Sequence, residues 1–281
     1  MKEISVGITY GIAPSLGTST EVLIDADTYR RCGLKHAIAY GPQAALAALA
    51  ATSAAPVDRS FRPRLALLTN GGPWAMDTAL AFLHSAHERG PQYVNPLQFP
   101  MTLVSAAPSS IAAMIGAGVC GVAIGHDELA FFEMLRHGAQ LLRRGLADEV
   151  FLAAAVAPSP ALKRILHAAD PNVDQEVGHC SICFALGTAS GGALILEESM
   201  VLDSEPEWSE ASLHRWEIGM DGVLRVAGKG PESHRFLSAS GAVACQQALA
   251  GSADPGAIGI ICKTRGKVGA ALFRRQQLLP S

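Results

Sequence analysis

Asp127 and Glu128 are the residues whose types and position most directly suggest chemistry. They follow the apolar run Val122-Ala123-Ile124-Gly125 and open a helix-like segment from about Asp127 to Arg144. Unpaired N–H groups and the helix dipole favour negative charge at such a turn, by roughly 0.3–1 kcal/mol per carboxylate. A thiolate nucleophile would be favoured in the same place, yet residues 126–130 read His-Asp-Glu-Leu-Ala and hold no thiol. Two readings stand: an aspartate cap with an acidic first turn, or carboxylates facing a pocket. As acyl acceptors they are poor, because a mixed anhydride hydrolyses.

Four other patterns carry candidate chemistry. Gly116-Ala117-Gly118-Val119-Cys120-Gly121 matches the dinucleotide fingerprint in letters, but a helix precedes it and a strand follows, the reverse of what phosphate binding needs. It predicts a tight helix-to-strand turn. His179-Cys180-Ser181-Ile182-Cys183 lacks the second ligand pair of a structural zinc site, so these residues are expected in the core or a pocket and no metal is expected. Ser238-Ala239-Ser240-Gly241 predicts a helix start capped by Ser240 rather than a nucleophile elbow, with His234 nearby on the surface or in a pocket. Lys263, Arg265, Lys267, Arg274 and Arg275 form a basic run that is either a solvated face or a docking patch for an acidic partner.

These residues must be positioned by strands alternating with helices. Ile4 to Tyr10, Leu65 to Leu68 and Glu149 to Ala155 read as strands, with Thr69 to Pro73 as a turn. Gln43 to Ala51, Trp74 to His87 and Ser109 to Ile115 have helical spacing. Ala157-Pro158-Ser159-Pro160 marks a boundary, giving halves of 1–156 and 157–281 that form one unit. Beyond it come a short helix over Leu162 to Ala169, strands over Ser181 to Leu186 and Gly192 to Glu198, and an acidic loop from Glu205 to Glu210. A helix from Ser240 to Ala250 and strands over Ile258 to Ile261 and Val268 to Phe273 close the chain. The alternation predicts an α/β layered fold.

Composition excludes several classes. A net charge of −3 over 281 residues gives no general attraction to nucleic acid or anionic membrane. Six cysteines spread along the chain are not a secreted disulfide framework, so reduced thiols and a cytoplasmic location are expected. The start, with Glu3 and a broken Ile/Gly/Thr run, has no signal-peptide pattern. Val104 to Gly125 is uncharged and long enough to span a bilayer, but its Pro, Ser and Gly content splits it into helix, turn and strand.

Three stretches resemble the β-ketoacyl synthases of the thiolase superfamily. Asn95-Pro96 to Phe99-Pro100 is similar to their Pro-x-x-Phe element, the run to Ile115 to the following helix, and Leu142-Arg143-Arg144-Gly145 to the end of the nucleophile helix. Ala185 to Glu197 resembles a Gly-rich hairpin, and Phe236 to Ala242 the turn before the last long helix. The family's cysteine would fall at the turn of Asp127 and Glu128, and its His-Gly-Thr-Gly-Thr-like turn has no counterpart; His234 is one residue out of step.

The resemblance implies a thiolase-like layered fold of two related βα half-domains with a shortened second half. It also implies a cysteine-less subunit of the chain-length-factor type, with no catalytic residue and no cofactor. Such a subunit would pair with a catalytic ketosynthase near Val104–Ile124 and meet an acyl carrier protein in polyketide or fatty-acid-type synthesis. His126, His234 and Ser238 would then be pocket candidates, and the five basic residues the docking candidates. A free-standing acyltransferase or decarboxylase using Asp127, Glu128 or His234 is the alternative, and a purely structural homodimer a third reading.

Overall fold

Val150 to Val156 are all buried, which makes β4 (Glu149–Val156) a strand covered on both faces. The computed structural model describes residues 4–15, 61–71, 76–125, 128–156, 164, 167–168, 179–187, 194–203, 214–218, 224–226, 240–251, 257–264 and 267–275. The helix expected over 43–51, the boundary at 157–160 and the loop at 205–210 lie outside these residues.

In the first half, β1 (Ile4–Ser15) is followed by β2 (Leu65–Asn70), α1 (Met76–Arg89) and a 3-10 segment at Pro96–Thr102. Then come α2 (Ala106–Met114), β3 (Cys120–Ile124), α3 (Ala130–Arg143) and β4. Beyond these stand β5 (His179–Gly187), β6 (Leu194–Leu202), β7 (His214–Ile218), β8 (Leu224–Val226), α4 (Ser240–Gly251), β9 (Ala257–Thr264) and β10 (Lys267–Arg275). Arg164, His167 and Ala168, the described part of the short helix expected there, are helical. Periodicity gives no sign of β7 and β8.

Among the described residues, ten strands form one ladder in the order β3-β2-β4-β5-β1-β6-β10-β9-β7-β8. Parallel β2 and β4, with α3 leading into β4, are followed by antiparallel β5. The second half repeats the scheme: parallel β7 and β9, with α4 leading into β9, are followed by antiparallel β10. This is the duplication that the layered fold requires. The hairpin expected from Ala185 to Glu197 does not form, because β1 lies between β5 and β6 and pairs with both. A twelve-residue strand offers enough backbone to bridge the two.

α3 is the inner layer. Leu129 to Leu135 are buried without interruption, the pattern of a helix enclosed on all sides. It touches β2, β3, β4 and β5 of one end of the ladder and β6, β10 and α4 of the other, so the sheet wraps around it. α2 covers the opposite face of β3, where a Cβ on Gly121 would stand 2.5 Å from Ala112 Cβ.

Two glycines stop the helices. After α3, Gly145 has φ 64; its N–H donates to Leu142 O at 3.0 Å and that of Leu146 to Leu141 O at 2.9 Å. After α2, Gly116 has φ 70, and Ala117 N–H donates to Ala112 O at 2.9 Å. Both use the left-handed glycine cap that satisfies the last helical carbonyls. The Gly-x-Gly motif is therefore a helix stop, as the element order predicts.

At the opposite end of β2 from the α3 turn, Arg62 pairs with Glu149 and lies 5.4 Å from the Phe151 ring centroid. Arg64 pairs with Asp148 at 2.6 Å.

Phe132→Ala is expected to cost about 3–5 kcal/mol, the usual loss for a buried phenylalanine. Leu83→Ala, at a side chain 61% exposed, should stay within about 0.5 kcal/mol. Urea denaturation midpoints of the two variants check the contrast.

Candidate functional site

The site is built on the C-terminal ends of β2, β3 and β4, the place where open α/β sheets hold their ligands. Asn70 closes one side. It is fully buried; its Nδ2 donates to Ala155 O at 2.8 Å and its Oδ1 accepts from Ala155 N at 2.9 Å. The amide thus continues the β2–β4 pairing past the point where the strands diverge. Gly71 N–H donates to Ile124 O at 2.7 Å, joining β2 to the end of β3.

The chain then passes Gly125 and enters α3. The helix cap is Leu129, whose side chain makes no capping hydrogen bond, and the helix proper starts at Ala130. This corrects the expected aspartate cap. Leu129 O accepts from Phe132 N at 3.0 Å and Glu133 N at 3.2 Å. Leu129 is 2% exposed and packs on β10, where a Cβ on Gly269 would stand 2.8 Å from it. Burial of this apolar side chain anchors the start of α3.

The second half walls this turn. A Cβ on Gly269 would stand 2.6 Å from Phe132 Cδ2, and one on Gly241 of α4 2.9 Å from Phe131 Cδ1. Ser199 Oγ of β6 donates to Phe132 O at 2.9 Å. Cys262 of β9 is fully buried; burial pushes its thiol up, and the charge of Glu128 adds to the effect. Burial does the same to Cys245 of α4. One turn along α3, Glu133 Oε2 accepts from Arg136 at 2.6 Å and lies 3.7 Å from His137 Nε2.

Of the predicted site residues, Glu128 stands half-buried at the entry to α3. His126, Asp127, His234, Ser238 and Arg265 lie outside the described residues. Cys183 is a buried core residue of β5. The basic run divides: Lys263 and Lys267 flank the β9–β10 turn, whereas Arg274 and Arg275 lie at the far end of β10. At about 3.4 Å per residue, roughly 24 Å separates Lys267 from Arg274. Lys267 pairs with Asp203 at 2.7 Å and holds that carboxyl below its ordinary range. Arg274 pairs with Glu197 at 2.9 Å.

Sequence reading misses Asn70, Ser199, Gly241, Gly269 and Cys262 as parts of this site. Only Asn70 has a local signal, an amide ending an apolar strand; the others meet the turn through tertiary packing.

The duplicated βα scheme around a buried α3 decides the comparison with known structures. The fold is that of the ketosynthases. The ishigamide ketosynthase/chain length factor superposes with a TM-score of 0.67 at 12% identity, covering 99% of each chain. A chain from the complex of a type II polyketide synthase acyl-carrier protein with its hexaketide-bound ketosynthase gives 0.66 at 12% identity, covering 98% of this chain and 100% of that one. The oxazolomycin ketosynthase domain of Streptomyces albus gives 0.68 at 9% identity, covering 99% and 76%. No protein-family model matches the sequence, and no curated protein matches it. At such identities the ketosynthase fold is shared without a shared sequence.

The buried thiols set a pH dependence. Cys245 and Cys262 hold their protons more tightly folded than unfolded. Their contribution to stability is therefore full below about pH 8.5, the unfolded thiol value, and is lost as pH rises above it. Urea midpoints should fall from about pH 8 to 10, and Cys262→Ala should flatten the slope.

Proposed function

We propose that this chain is a non-catalytic, chain-length-factor-type subunit that pairs with an active ketosynthase and shapes the acyl chain in a carrier-protein-dependent polyketide or fatty-acid-type pathway. One combination carries the reading. The ketosynthase fold extends over 98–99% of the chain, while residues 126–130, where the fold turns from β3 into its buried helix, contain no cysteine. Two of the similar structures, a ketosynthase/chain length factor and a carrier-protein–ketosynthase complex, supply the kind of partner. The halves 1–156 and 157–281 act as one unit in this reading, working in the cytoplasm with thiols reduced.

Pairing would use β3. Among the described strands it stands at the end of the ladder, and a strand edge is a template for another chain. Val122 at its centre is 40% exposed, and Phe99, Leu103 and Val104 are further exposed apolar side chains. An apolar area of this kind marks an interaction surface. Lys263, Arg265 and Lys267 near the β9–β10 turn, with Arg274 and Arg275 at the other end of β10, are the proposed contacts for an acidic carrier protein. His126, His234 and Ser238 remain pocket candidates, and no cofactor is invoked. No helix among the described residues is long and apolar enough to cross a membrane.

A second reading, decarboxylation or acyl transfer by the isolated chain, rests on Glu128, whose charge reaches Cys262 within the walled turn. The two readings separate cleanly. Co-expression with the ketosynthase encoded beside it should yield a co-purifying pair, and Val122→Arg should weaken that pair at least tenfold by placing a charge at the β3 edge. A stable lone monomer in the presence of that ketosynthase removes the pairing reading. Turnover of malonyl or acyl thioesters by the isolated chain, lost in Glu128→Ala, would establish the second.

A further inference from the structure

The C-terminal half of α3 emerges from the core along one strip. Arg136, His137, Gln140, Arg143 and Arg144 recur at spacings of three and four residues, so they share one face of the helix. Arg136 and His137 keep 40% and 44% of their side-chain surfaces exposed, Gln140 is half-buried, and Arg143 and Arg144 are exposed. The three arginines are set against a single carboxylate, Glu133, which Arg136 binds at 2.6 Å and His137 approaches to 3.7 Å. Arg143 and Arg144 have no ion-pair partner among the described residues, and just beyond the helix Arg64 and Asp148 cancel each other. The strip is therefore net positive.

Its direction follows from the packing. A Cβ on Gly241 of α4 would stand 2.9 Å from Phe131 Cδ1 and 3.0 Å from Phe132 Cε2. Those two rings lie about half a turn around the helix from His137 and Arg144, so the strip points away from α4. α3 touches β2 and β3, whereas α4 touches β5, β1, β7 and β9. The strip thus opens on the β2–β3 flank, where β3 ends the described ladder. A chain added along the β3 edge comes close to it.

Closed pairing of identical chains is twofold and sets the same flank of each copy against the other. Two basic strips would then meet, and like charges brought together oppose the contact. A ketosynthase with carboxylates at the facing positions meets no such repulsion. We infer that the α3 strip selects the partner: it disfavours a second copy of this chain and favours a ketosynthase whose facing surface is acidic, with Arg143 and Arg144 as specificity-determining residues. The inference deepens the pairing reading and rests on it for the identity of the partner.

Charge exchange in the full-length chain tests it. In sedimentation equilibrium at low salt, a mixture of wild type with the double variant Arg143→Glu/Arg144→Glu should associate at least tenfold more tightly than either chain alone, because acidic then meets basic. Salt at about 0.5 M should erase the difference by screening. The same variant should pair at least tenfold more weakly with the ketosynthase encoded beside it, with Arg143→Gln/Arg144→Gln in between. Both arginines are exposed, so the variants should keep the fold, which circular dichroism verifies. Equal association in mixed and unmixed samples, or ketosynthase pairing that ignores both variants, overturns the inference; in the second case the pairing reading stands. Cross-association of the mixed chains without any pairing to the ketosynthase supports the strip as a selector against self-association and removes the pairing reading instead.

Discussion

The burial of α3 is the constraint on which the rest of the molecule depends. A helix with Leu129 to Leu135 all inside cannot sit on a sheet with one face in water. It needs cover from both ends of the ladder, and it receives β2 to β5 on one side and β6, β10 and α4 on the other. Glycine makes the approach possible. At Gly269 and Gly241 even a methyl group would press into Phe132 or Phe131, so the two halves meet through backbone against aromatic ring.

The same packing defines the candidate site. The turn into α3 is held from below by Leu129 and Phe132 and walled by residues of the second half, so its electrostatics are shared between halves. Glu128 belongs to the first half and Cys262 to the second, yet the carboxylate helps keep the thiol protonated. The start of α3 is anchored by the burial of Leu129, whose own side chain makes no capping hydrogen bond.

The opposite flank is less enclosed. Among the described strands β3 ends the ladder, with Val122 exposed at its centre and Val104 covering Gly71 at the end of β2.

What the sequence determines by itself is local. The apolar runs of β2 and β4, the glycine stops after α2 and α3 and the missing thiol at residues 126–130 are readable because each depends on a few neighbouring residues and on backbone geometry. The cap of α3 is not readable in this way: Asp127 satisfies the local rule, while the buried contact of Leu129 with Gly269 comes from 140 residues further along the chain. Insertion of β1 between β5 and β6, the division of the basic run between the two ends of β10, and the place of Cys262 beside Glu128 are decided only by tertiary structure. Strand order and register are set by which distant edges bury the most apolar surface together, and no short window of residues contains both edges.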